Sequence, residues 1–247
     1  MSEDLVRRLS AAERHTNNPN LRPKDAATLL VLDPSQGGSP RVLMGRRHQR
    51  HRFMPGMFVF PGGRVDPQDS RIPVTGAYHP QVAHKLMHAM KGPKTEARAR
   101  AFTVAAARET YEEAGVLVGA PSDTPWTGTG DMAAFSDRSL LPDLTPVRLI
   151  ARAITPPRRP RRFDTRFLAV FADAIADRLP EGTGPSGELE DVHWLTLTQA
   201  KDLELPTITL TIIEELENRL RHDPDLDPGT PVPFYYWRGN GFTREEV

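Results

Sequence analysis

A chain of 247 residues with 32 Lys and Arg against 32 Asp and Glu has no net formal charge, so bulk electrostatics favours neither nucleic acid nor an anionic membrane. The absence of cysteine excludes disulfides, thiolate metal sites and a cysteine nucleophile, and fits a reducing cytoplasm. No apolar run approaches the ~18 residues of a membrane span, Met1 to Arg8 lacks the apolar core of a signal peptide, and Arg244-Glu-Glu-Val247 is not a peroxisomal Ser-Lys-Leu address.

Residues 1–24 read as a short helix and an irregular lead-in, broken at Asn17-Asn-Pro-Asn20. Ala26 to Leu32 is a compact apolar run, expected to be a buried strand. The turn chemistry of Asp33 to Pro40 then returns the chain as a second strand from Arg41 to Gly45, making a hairpin. Arg46-Arg-His-Gln-Arg-His-Arg52 is either a solvated basic loop or a phosphate patch. The apolar Met57 to Phe60 runs into Phe60-Pro-Gly-Gly63, where paired glycines let backbone N–H groups approach an anion.

Residues 70–107 include Pro-rich pieces and Gln81 to His88, expected to form a helical flap or partner surface. His84 and His88 have zinc-motif spacing but lack the accompanying Glu and a third ligand, and read as a helical surface or core pair. Thr95 is a plausible N-cap for the helix that follows. Ala105-Ala-Ala-Arg-Glu-Thr-Tyr-Glu-Glu-Ala-Gly115 is built from good helix formers, with Gly115 where a left-handed C-terminal cap is wanted. At roughly 100° per residue, Glu109, Glu112 and Glu113 share one stripe, while Val104, Ala107, Tyr111 and Ala114 face a core. Three carboxylates on a stripe repel one another. A hard divalent cation such as Mg²⁺ or Mn²⁺ removes that cost, and Arg108, four residues before Glu112, can orient a carboxylate. The alternative is a solvated acidic face.

Gly63 followed by Arg108-Glu-Thr-x-Glu-Glu-x-Gly-Val116 resembles the signature box of the Nudix hydrolases, G-x5-E-x7-R-E-U-x-E-E-x-G-U, with U a bulky aliphatic residue. The first Glu of the box falls on Asp69, Thr110 replaces an aliphatic residue, and residues 70–107, 38 of them, stand where the box has seven. An insertion there is similar to the peroxisomal coenzyme A diphosphatase branch. Leu43-Met-Gly-Arg-Arg47-His-x3-Arg52-x3-Gly56-x3-Phe60-Pro-Gly-Gly63 also resembles that branch's motif L-L-T-x-R-S-x3-R-x3-G-x3-F-P-G-G, departing at Met44, Gly45 and His48.

Further along, Val116 to Val118 reads as a short strand and residues 119–146 mostly as loop. Val147 to Ile154 and Arg166 to Phe171 read as strands flanking Thr155-Pro-Pro-Arg-Arg-Pro-Arg-Arg-Phe-Asp-Thr165, a stretch similar to one in the same branch. Its Arg158, Arg159, Arg161 and Arg162 either reach a substrate phosphate or form a solvated hairpin tip. Gly182-Thr-Gly-Pro-Ser-Gly187 matches G-x-G-x-x-G, but Pro185 interrupts it and no helix pattern follows, so a dinucleotide fingerprint is rejected. Val192 to Leu197 reads as a strand, Thr198 to Leu205 as a short helix and Thr207 to Arg221 as an amphipathic one. The aromatic Pro231 to Trp237 is expected to be covered, as an edge strand or against a neighbouring copy in a homodimer. No internal repeat is present.

The resemblance implies one α/β (α+β) domain over 25–220, a mixed β-sheet between helices, with 1–24 as lead-in, an insertion at 70–100 and a C-terminal tail at 221–247. It implies Glu109, Glu112 and Glu113 as Mg²⁺ or Mn²⁺ ligands, Glu109 as third ligand or base, Arg108 as orienter, and Asp69 as an outer contributor. Arg47, Arg52, Gly62 and Gly63 would meet the substrate, and Glu188 or Glu190 would add a further carboxylate. The implied reaction is attack of water on the pyrophosphate of coenzyme A or an acyl-CoA, giving adenosine 3′,5′-bisphosphate and 4′-phosphopantetheine. Other nucleoside diphosphate derivatives (ADP-ribose, a dinucleotide, an RNA end) and a non-catalytic binding module are the alternatives.

Overall fold

In the computed structural model, residues 2–11, 18–34, 39–50 and 55–247 are described. The N-terminal helix α1 (Ser2–Ala11) precedes the hairpin of β1 (Lys24–Asp33) and β2 (Arg41–Arg47), followed by two short strands, β3 (Phe58–Val59) and β4 (Gly62–Arg64). A 3-10 turn at Asp69–Arg71 leads to α2 (Pro80–Met87) and α3 (Glu96–Ala114). Short pieces follow: β5 (Val116–Val118), β6 (Ala120–Pro121), α4 (Ala133–Ser136) and β7 (Leu140–Leu141). Then come β8 (Arg148–Ile154), β9 (Phe163–Phe171), β10 (Ile175–Arg178) and β11 (Leu189–Thr196). The helices α5 (Leu197–Lys201) and α6 (Thr207–His222) precede a closing hairpin of β12 (Pro233–Arg238) and β13 (Gly241–Glu246).

The main sheet runs β11-β2-β1-β9-β8-β12-β13 and is mixed, β1 lying parallel to β9 and β12 parallel to β8. One edge of β1 is divided: β4 pairs with Ala26 to Thr28, and β2 with Leu32 and Asp33. That division brings the Gly62–Gly63 backbone against the middle of the sheet.

Alternation along the strands builds two cores. Leu30, Leu32, Met44, Phe167 and Ala169 pack under α6, α5 and α1, while Ala27, Leu29, Val31, Leu168 and Val170 pack under α3 and α2. Helices on both faces explain why β1 and β9 read as near-continuous apolar runs. The insertion is not a free flap: α2 buries Val82 and Leu86 in the second core, and Lys85 donates to the carbonyls of Pro228 and Thr230. Residues 221–247 supply β12 and β13, so the aromatic segment is covered by sheet pairing, with Phe234 and Tyr235 buried. Among the described residues no helix is long and apolar enough to cross a membrane.

Candidate active site

The site is carried by the C-terminal half of α3. Thr95 caps the helix by accepting from the Arg98 N–H, at 3.3 Å, and Gly115 ends it at φ 68°. A Cβ on Gly115 would come within 2.5 Å of the Thr183 carbonyl, so packing as well as the left-handed backbone requires glycine. Val104, Ala107 and Ala114 are buried as the stripe requires, and Tyr111 is half-buried against the Phe135 ring. The helix is in fact enclosed on most of its surface, with Phe102, Ala105 and Ala106 in one core and Val104 and Ala107 in another.

Arg108 is the hub of the site. Its Nη1 donates to Glu109 at 2.9 Å and to Glu112 at 2.7 Å, its Nε and Nη2 donate to the two Asp69 oxygens at 3.2 Å each, and Nη2 also donates to the Arg64 carbonyl. Burial works against the Arg108 charge, but Asp69, Glu109 and Glu112 more than reverse that and hold the guanidinium protonated. Asp69 is 1 % exposed and also accepts from the Asp66 N–H at 2.7 Å, so its carboxylate is fixed from two sides. Despite the long insertion, Asp69 therefore sits in the site, positioning Arg108 from behind.

The glycine loop meets the same helix. Gly62 N–H donates to Glu113 Oε2 at 2.9 Å, so the anion that this backbone approaches is the protein's own carboxylate. A Cβ on Gly62 would sit 2.6 Å from the Ala27 carbonyl, and one on Gly63 would sit 2.4 Å from the Glu109 carboxyl group. Both glycines are thus demanded by the close approach of β4 to β1 and α3.

The negative charge of the three glutamates is only partly relieved by Arg108 and the Gly62 N–H. Burial pushes Glu113 up to about 8, with Glu109 and Glu188 adding repulsion that the Gly62 N–H and Arg47 only partly offset. Burial also pushes Glu112 up to about 7, against the pull of Arg108, and raises Glu109. Among the described residues no three acidic or histidine side chains are gathered closely enough to share one ion as they stand. The donor set nevertheless fits a hard cation: every candidate donor is oxygen, and Glu109 Oε2 and Glu113 Oε1 have no hydrogen bond among the described residues.

Of the flanking residues, Arg47 lies 3.6 Å from Glu188 and bears on Glu113, whereas Arg52 lies outside the described residues. Glu188 faces the stripe, while Glu190 faces away toward Arg46 and His48. His88 packs edge-on against the Phe234 ring, remote from the carboxylates. A cavity of about 280 Å³ opens beside Arg47 and Gly62, lined by apolar Phe60, Phe167, Ile208 and Phe242 and by Arg159 and Arg161. Arg162 instead turns to the Thr155 and Leu21 carbonyls.

Sequence reasoning missed what the 182–187 loop does. Gly184 N–H and Ser186 N–H donate to the carbonyls of Glu113 and Glu112, at 3.2 and 3.0 Å, satisfying the exposed C-terminal end of α3. The excess of Gly and Ser there was the available signal, read only for nucleotide binding.

No family model matches the chain. It is 30% identical over 154 residues to the acyl-coenzyme A diphosphatase NUDT19 of Gallus gallus, which covers 51% of this chain and 40% of that protein. The chain thus spans less than half the length of that curated relative. The crystal structure of a NUDIX hydrolase from Alicyclobacillus acidocaldarius matches with a TM-score of 0.56 at 27% identity, covering 78% of this chain and 90% of that one. RenU, a Nudix hydrolase of M. smegmatis, matches with a TM-score of 0.44 at 17% identity, over 81% of this chain and 88% of that one.

Proposed function

We propose that this chain, similar in fold and sequence to Nudix hydrolases, is a metal-dependent diphosphohydrolase that splits the pyrophosphate of coenzyme A or an acyl-CoA. The observation that carries this reading is the meeting of the Gly62–Gly63 loop with Glu109 and Glu113 beside the buried Arg108, which holds Glu109 and Glu112. The substrate class rests on the spacing of Arg47 and Phe60-Pro-Gly-Gly63, and on the likeness to a relative named as an acyl-coenzyme A diphosphatase.

Glu109, Glu112 and Glu113 would hold Mg²⁺ or Mn²⁺. Such an ion, when bound, screens phosphoryl oxygens and acidifies water. Arg108 fixes the rotamers of Glu109 and Glu112, and Asp69 fixes Arg108, so the carboxylates lose little freedom on binding. Glu109 serves either as the third ligand or as the base that takes the proton from the attacking water, burial raising its affinity for a proton. Arg47 and the guanidinium groups of Arg159 and Arg161 meet phosphate oxygens at the mouth of the 280 Å³ cavity, whose apolar walls take an uncharged part of the substrate. Nothing in this scheme needs a covalent intermediate.

The test is incubation of the purified protein with coenzyme A or an acyl-CoA and Mg²⁺ or Mn²⁺, with the products separated by chromatography. Adenosine 3′,5′-bisphosphate and 4′-phosphopantetheine (or its acyl form) are expected. Cleavage of ADP-ribose or a dinucleotide alone would remove the coenzyme A reading. Failure to cleave any of these would favour a binding module.

A further inference from the structure

On the other side of the β4 strand lies a larger cavity, of about 940 Å³, that the proposed reaction leaves unused. None of Glu109, Glu112, Glu113, Gly62 and Gly63 lines it. It touches α3 near the helix start, at Arg98 and Ala101, and Arg98 is fourteen residues before Glu112, about 21 Å along the helix. It also lies on the α2–α3 side of the sheet, whereas the smaller cavity opens on the α6 side.

Its floor is built from charge that is already spent. Arg152, 2 % exposed, pairs with Asp164 through Nε at 2.7 Å and Nη2 at 2.6 Å and donates to the His88 carbonyl. Arg166 lies fully buried behind it, 3.0 Å from Asp164 and 3.3 Å from Asp25, and Asp25 also accepts from Arg98 at 2.9 Å. The other two lining carboxylates are engaged as well, Asp66 by Arg64 and Glu245 by the Tyr236 hydroxyl. Against these four carboxylates the lining carries seven Lys and Arg side chains.

The excess sits at the rim. Arg22, Lys24 and Lys91 line the cavity, are exposed, and form no ion pair among the described residues. Opposite them, Phe234 and Tyr236 of β12 supply aromatic surface, while the Trp237 ring packs on Phe242 toward the other face of the sheet. Unpaired cations facing an aromatic ring, over a floor whose Asp25, Asp66 and Asp164 are already paired with arginines, suit one ligand chemistry: a phosphate group joined to a flat ring.

We propose that the cavity between β12, the start of α3 and the Arg64–Pro67 segment is a second binding site, for a nucleoside phosphate, with Arg22, Lys24 and Lys91 holding the phosphates and the Tyr236 ring the base. The site stands whether or not the α3 carboxylates hydrolyse coenzyme A.

The test uses the full chain in metal-free buffer, with ADP and inorganic pyrophosphate as probes, read by calorimetry. ADP is expected to bind at least ten-fold more tightly than pyrophosphate. In Lys24→Glu/Lys91→Glu its affinity is expected to fall at least ten-fold, with hydrolytic turnover unchanged. Both side chains are exposed, so the fold should survive; Arg22→Ala/Lys91→Ala reads the same site with a milder change. ADP affinity unaltered in both variants, or pyrophosphate binding as tightly as ADP, would overturn the proposal.

Discussion

Asp69 and Arg108 stand 39 positions apart in the chain and form two hydrogen bonds of 3.2 Å in the protein interior. The pair closes the site from behind: it sets the guanidinium plane, and that plane sets where Glu109 and Glu112 point.

Asp69→Ala would leave the Arg108 guanidinium half-paired while still buried. Breaking such a pair costs about 3 kcal/mol. Urea unfolding is expected to show that loss, and turnover is expected to fall by about ten-fold or more through misoriented carboxylates. Full stability in the variant would mean that Glu109 and Glu112 alone hold Arg108.

Glu112→Gln/Glu113→Gln separates catalysis from stability. Turnover should drop by about a hundred-fold or more, since the cation loses two ligands. The melting temperature without metal should hold or rise, because the substitution removes repelling charge that burial already disfavours. A variant with wild-type turnover would refute the assignment of these residues.

The pH dependence of the metal-free protein has a definite sign. Glu112 and Glu113 titrate near 7 and 8 in the folded chain, against an ordinary value of 4.5. The folded state therefore binds more protons than the unfolded state across that window, and stability falls as pH rises through it. Below about 4.5 both forms are protonated and this contribution is fully present. Thermal melts from pH 5 to 9 should show the decline, and saturating Mg²⁺ should flatten it by stabilising the ionised carboxylates. Stability that climbs over this range in the absence of metal would contradict the assigned charge repulsion.

Gly184→Ala tests the loop that caps α3. A Cβ there would lie 2.1 Å from the Glu112 carbonyl oxygen, against backbone that cannot swing aside. The expected cost is about 1–3 kcal/mol, with weaker Mg²⁺ binding as the end of the helix shifts. Calorimetric titration of Mg²⁺ into the variant measures the second effect.

What the sequence by itself determined is everything that depends on near neighbours. The bounds of α3, its Thr95 and Gly115 caps and the shared stripe of Glu109, Glu112 and Glu113 follow from helix geometry, in which contacts reach only three or four residues. The β1–β2 hairpin follows from two apolar runs and the turn between them. Strand ends were less legible: β9 begins at Phe163, three residues before Arg166, because pairing with β1 extends it beyond its apolar stretch.

Only the tertiary structure decided which distant groups meet that stripe. The path of residues 70–107 through the second core returns Asp69 to Arg108, and no local pattern encodes that closure. The same holds for Glu188, delivered by a loop whose glycines resembled a nucleotide motif, and for the C-terminal segment, which became two strands because the exposed edge of β8 offered unpaired backbone groups. Spacing fixes the face that a side chain occupies, and chain closure around two cores fixes what that face looks at.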